Sequence, residues 1–132
     1  MLIDNHLEVL KESIEMINES IEIGIAKRQR TIGFNTSAAA VDMLEIYLHR
    51  NNLIDPGFMI KHEWLKSKNK LNEKFSFDFK EKKKIFELMY EIEEKRNVLC
   101  YGKPQSVEVI MKTIEAFNEL KEIFRKNGIS EV

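Results

Sequence analysis

The residue types best able to do chemistry are gathered in Glu94-Lys95-Arg96-Asn97-Val98-Leu99-Cys100-Tyr101-Gly102-Lys103. In a helix, Arg96 and Cys100 fall one turn apart on one face, with Asn97 and Tyr101 one position round. A guanidinium grips phosphate oxygens through paired hydrogen bonds, an amide orients the same group, and a phenol can donate a proton. Arg96, Asn97 and Tyr101 are therefore the candidate catalytic residues, with Lys95 and Lys103 adding positive field beside them. A phenol with a pKa near ~10 is a poor base at neutral pH. A base would have to come from His49 or His62, which no spacing ties to the cluster. The competing role for Arg96 is an ion pair with Glu93 or with an acid of the first helix.

Other chemistries leave no trace. There is no Gly-rich phosphate loop, no paired Cys for zinc, no Glu-x-x-His pattern and no Ser nucleophile elbow. Three scattered His do not space as metal ligands, so neither metal nor cofactor is expected. The single Cys100 rules out an internal disulfide and fits a reducing, cytoplasmic setting. Asp4, Glu8 and Lys11 interrupt the first apolar residues, so no signal peptide is expected, and no apolar run is long enough to span a membrane.

The elements that must position Arg96 are helices. Five Gly and two Pro in 132 residues leave long uninterrupted stretches, and the length suits one domain, residues 1–132. Leu7, Leu10, Ile14, Ile17 and Ile21 form one stripe of a first helix from about Asp4 to Gly24, and Val9, Met16 and Ile23 form a second. Residues 25–35 read as a connection whose Lys27, Arg28 and Arg30 complement a helix end. Thr36-Ser37 reads as an N-cap for a helix running to Arg50 or Asn51. Asp55-Pro56-Gly57 is a turn, and residues 58–68 suggest a short helix with Trp64 inward. Residues 69–78 read as a loop pinned by its Phe rings, with Asp78 as a cap for the next helix. A long central helix then runs from Phe79 to Leu99, and Arg96 interrupts its apolar stripe of Ile85, Leu88, Met89, Ile92 and Leu99. A last helix starts near Ser106 and ends at Asn127-Gly128. The fold expected is an all-α bundle of four to five helices. Charge is uneven along it: residues 1–23 carry a net −5 and residues 60–84 a net +5.

Arg96-Asn97-x-x-x-Tyr101-Gly102 at the end of a bundle helix resembles the Arg-x4-6-His motif of HEPN domains, small all-α domains of prokaryotic toxin–antitoxin systems and related RNases. The family's Arg and the polar residue after it fall on Arg96 and Asn97, and its His falls on Tyr101. The resemblance implies a HEPN-like bundle, a homodimer with the motif near its axis, RNA as ligand, a nucleotidyltransferase antitoxin as partner, and metal-independent endoribonuclease chemistry. The Tyr at the His position favours the alternative, a non-catalytic helical module that dimerises or binds that partner.

Overall fold

The computed structural model describes residues 1–132 and is all-helical. Helices α1 (Ile3–Ile23), α2 (Gln29–Arg50), α3 (Lys68–Lys74), α4 (Lys82–Tyr101) and α5 (Val107–Lys126) are joined by turns, with a 3-10 segment over His62–Lys66 ahead of α3. No helix is long and apolar enough to cross a membrane.

The central helix is α2, not α4. It packs against α1, α4 and α5. Its residues from Ala39 to Leu48 are buried on almost every side, except Asp42. Cross-links fix the directions. His6 meets Asp42 near the far end of α2, so α1 runs antiparallel to it. Gln29 bonds to Leu99 and Ser37 to Glu93, so α4 is antiparallel to α2 as well. Tyr47 stacks near Phe124, which sets α5 parallel to α2.

The helix α2 begins seven positions earlier than its Thr-Ser signal suggests. Thr36 Oγ1 donates to the Ile32 carbonyl at 2.7 Å and Ser37 Oγ donates to Glu93 at 2.8 Å, so both hydroxyls are spent inside the bundle rather than at a cap. Gly33 explains how α4 comes so close: a Cβ there would lie 2.8 Å from Leu99 Cβ and 3.0 Å from Cys100 Sγ. Small residues at such a crossing let two helix backbones approach.

On α1, Leu10 and Ile17 are buried and Leu7 and Ile14 half-buried, as the first stripe requires, but Ile21 is exposed. The second stripe, Val9, Met16 and Ile23, is left on the surface. Residues 58–61 do not join a helix; the expected short helix is replaced by the 3-10 segment and α3, with Ser67 capping the latter through Lys70 N. Asp78 does not cap α4, whose first turn follows Glu81 in left-handed conformation (φ 60°). Ser106 does cap α5, accepting from Val109 N.

The loop between α3 and α4 is pinned as its aromatic content predicts. Phe75 is fully buried and meets Phe58, Trp64, Phe77 and Phe86 at centroid distances of 5.1–6.2 Å. Truncating so enclosed a ring costs about 3–5 kcal/mol. Trp64 belongs to this cluster and is a core anchor; the Lys74 ammonium lies 5.1 Å above its ring.

Candidate functional site

The pitch of α2 brings Arg30, Phe34 and Ser37 onto the side that faces α4, and the pitch of α4 presents Glu93, Arg96 and Cys100 back. Arg96 Cζ stands 5.4 Å from the Phe34 ring centroid. Arg30 Cζ is 5.7 Å from the same centroid and 5.8 Å from that of Tyr101, whose ring meets Phe34 edge-on at 5.8 Å. Two guanidinium groups thus bracket two aromatic rings at the mouth of the α2–α4 crossing.

Arg96 forms neither a hydrogen bond nor an ion pair with the protein, and its Nε is buried without a partner. The acid nearest in sequence, Glu93, is committed elsewhere. Its Oε2 accepts from Ser37 Oγ at 2.8 Å and lies 2.9 Å from His62 Nδ1. Burial pushes the Glu93 carboxyl up, but bonding and charge from His62, with Ser37 and Arg96 adding to them, hold it below its ordinary value. An ionised Glu93 can only accept, so His62 Nδ1 carries the proton and donates to it. His62 Nε2 makes no bond within the protein, and the side chain is 34% exposed. The pair is an oriented imidazole with one nitrogen free for proton transfer.

Ser37 is no nucleophile in this arrangement. It is fully buried and touches Nδ1, the nitrogen already held by the carboxylate, whereas an activated serine must face the other one. Cys100 is likewise buried; burial raises its thiol pKa against the pull of Arg96 and Arg30, and its Sγ contacts the Arg30 carbonyl. It is a packing residue.

The structure brings Arg96 and Tyr101 to the same aromatic cluster through Phe34. Asn97 is exposed on the neighbouring face and its side chain makes no bond. Lys95 lies 3.8 Å from its neighbour Glu94, and Lys103 is exposed, its carbonyl accepting from Gln29 Nε2 at 3.1 Å. Beside Tyr101 is an open depression of about 470 Å³, lined in part by Lys27, Gln29, Arg30, Cys100 and Gly102.

Arg30 and Phe34 join the cluster from outside the Arg96–Tyr101 stretch, and His62 is linked to that stretch through Glu93, one turn before Arg96. Arg30 is in the first turn of α2, the wrong end for a cation that complements the helix dipole. Phe34 supplies the ring between the two arginines. His62 arrives on the 3-10 segment, which is held to α2 by Ile60 N donating to Glu45 Oε1 at 2.8 Å. In sequence Arg30 reads as one of three cations complementing a helix end, a role its place in the first turn of α2 rules out, and the reach of His62 is not legible because it depends on how residues 51–61 fold back.

His49 lies elsewhere, 6.2 Å by ring centroid from His6. His6 Nδ1 is 2.8 Å from Asp42 Oδ1, and its Nε2 is 2.6 Å from Glu45 Oε2 but off the direction of a hydrogen bond. No three His, Cys, Asp or Glu converge in a metal-holding geometry. No protein-family model, characterised protein or solved structure matches the chain.

Proposed function

We propose that the chain is a HEPN-like RNA-binding domain whose α2–α4 crossing receives a single-stranded phosphodiester, and that His62 extends this to metal-independent cleavage. The observation that carries the reading is the unpaired guanidinium of Arg96, half-buried over Phe34 while the nearby carboxylate is occupied by Ser37 and His62. A partly desolvated cation without a protein partner is suited to an anionic ligand. Phe34 and the exposed Tyr101 ring offer faces on which a base can stack, and Arg30 adds charge beside them.

On this reading Arg96 neutralises charge growing on the phosphoryl oxygens. His62 Nε2 takes the proton of the ribose 2′-hydroxyl as that oxygen attacks phosphorus. The 5′-oxygen of the next nucleotide leaves as a hydroxyl after taking a proton from water, the other fragment ends in a 2′,3′-cyclic phosphate, and His62 returns its proton to solvent. Glu93 holds the imidazole by Nδ1; such acid–base assistance contributes about 10²–10⁴ in rate. The partners that the HEPN resemblance implies, a second copy and a nucleotidyltransferase antitoxin, accompany this reading.

The second reading is the non-catalytic module. It is favoured by Tyr101, at the motif's His position, whose ring is engaged with Phe34 and Arg30 in stacking rather than paired with Arg96 for proton transfer. One assay separates the two: single-stranded RNA with wild type, Arg96→Ala and His62→Ala, in chelator. Cleavage that both substitutions abolish supports the nuclease. Salt-dependent binding that only Arg96→Ala weakens, with no cleavage, supports the module, and no binding by any of the three overturns both.

A further inference from the structure

Two unpartnered surfaces of this chain complement each other. The first is on α1. Leu2, Val9, Met16 and Ile23 are seven residues apart and 65, 38, 38 and 45% exposed. Seven-residue spacing keeps side chains on one slowly drifting line of a helix. That line borders the buried face of α1 on one side. On the other lies a face of acids that includes Glu8, Glu12, Glu15 and Glu19. Only Lys11 offsets them, and none of these glutamates is ion-paired.

The second surface is the groove between the 3-10/α3 segment and the first half of α4. It is an open depression of about 570 Å³ with Leu65, Leu71, Phe86 and Tyr90 along its floor. A neighbouring depression shares Lys68, Leu71, Lys83 and Phe86 with it, so the two form one trough. Lys66, Lys68 and Lys83 rim the trough, outnumbering the acids Glu87 and Asp78 that also line it; the three lysines are exposed and form no ion pair in the chain. Lys82, by contrast, is committed to the carbonyls of Phe75 and Phe77 at 2.6 and 2.7 Å.

We infer that the apolar edge of α1 docks in the lysine-rimmed trough of a second copy of this chain. An amphipathic helix seats its apolar line in such a trough and sets its charged flank against the rim. The flank of α1 has the sign opposite to the rim: residues 1–23 carry a net −5 and residues 60–84 a net +5. Pairing α1 with α1 would instead set −5 against −5, so the helix selects the trough rather than its own equivalent. The contact joins two different patches, so it either closes with each α1 in the other copy's trough or continues as a chain of copies. This inference is independent of the RNA reading, since neither surface includes Arg96, His62 or Tyr101.

The test is sedimentation velocity of the full chain at low and high ionic strength, with circular dichroism to confirm folding. Wild type is expected to sediment at about twice the monomer mass or more at low salt and to shift toward monomer as salt screens the contact. Glu12→Lys/Glu19→Lys and Lys66→Glu/Lys68→Glu/Lys83→Glu are each expected to lose the salt-sensitive association alone and to regain it when mixed, because the mixture restores opposite charges across the contact. All five positions are exposed and carry no core contact. Monomeric wild type at low salt overturns the inference, as does a charge-reversed variant that alone keeps the salt-sensitive association of wild type. Loss of RNA binding by the lysine variant, in a wild type that does not self-associate, assigns the trough to nucleic acid instead.

Discussion

The Arg96 guanidinium lies over the Phe34 ring, Cζ to centroid 5.4 Å, and no oxygen of the protein bonds to it. A structural arginine would be tied to an acid; this one contributes a cation–π contact worth about 0.5–2 kcal/mol and leaves its charge unmatched. Arg96→Ala is expected to change unfolding stability by no more than about 2 kcal/mol. The same substitution should weaken RNA binding and lower the slope of log affinity against log salt by about one. Fluorescence anisotropy at several salt concentrations, beside urea melts, checks both. Arg96→Lys should retain part of the affinity and lose the planar stacking.

Glu93 orients His62 by accepting from Nδ1, so its replacement should act on the rate of cleavage rather than on substrate affinity. Glu93→Gln weakens that hold while keeping an acceptor for Ser37. The expected outcome is a lower kcat for RNA cleavage with KM little changed. An unchanged kcat with a raised KM would count against His62 as the proton carrier.

Acid should loosen the bundle in two steps with different owners. Burial, with the nearby His6, depresses the His49 pKa below its ordinary 6.5. A depressed histidine contributes stability above its unfolded value, lost as pH falls through the folded one. Glu93 is depressed below 4.5, so its contribution is present above that value and lost at still lower pH. Asp42 runs the other way: burial raises it despite its bond to His6, so its contribution is full below 3.8 and fades as pH rises. Melting temperature followed downward from neutrality should therefore fall below about pH 6.5 in wild type. In His49→Gln that first step should be absent and the Glu93 step retained.

Gly33→Ala sets two effects against each other. Alanine in a helix interior gains about 1 kcal/mol over glycine. Its Cβ, however, would stand 2.8 Å from Leu99 Cβ and 3.0 Å from Cys100 Sγ, and overpacking of this kind costs about 1–3 kcal/mol. A net loss is expected by chemical denaturation, partly recovered in Gly33→Ala/Cys100→Ala, where one of the two obstructing atoms is gone.

The helices with one apolar face were legible: α1, α4 and α5 lie close to where their stripes place them. The start of α2 was not. The helix is buried nearly all round from Ala39 to Leu48, so no stripe leads back to its start, and Thr36-Ser37 imitates a cap while bonding to Ile32 and Glu93. Arg96 announced itself as a charge in an apolar register. Arg30, Phe34 and His62 did not, because the contact of Arg30 and Phe34 with α4 is set by helix crossing, and that of His62 with Glu93 by a turn that Glu45 holds through Ile60 N. Long-range geometry of this kind has no local signature.

Gln29 gives the same crossing a further property. Its Nε2 donates to the carbonyls of Leu99 and Lys103, and its Oε1 accepts from Gln105 N at 2.8 Å. One amide from the first turn of α2 thereby satisfies carbonyls that the end of α4 leaves open and a backbone N–H in the linker to α5. The end of α4 cannot fray by itself; releasing it means releasing the start of α2 and the linker together. In hydrogen–deuterium exchange the Gln105 amide should exchange slowly for a position in a connecting segment, at a rate shared with the last turn of α4, so that the three segments form one cooperative unit.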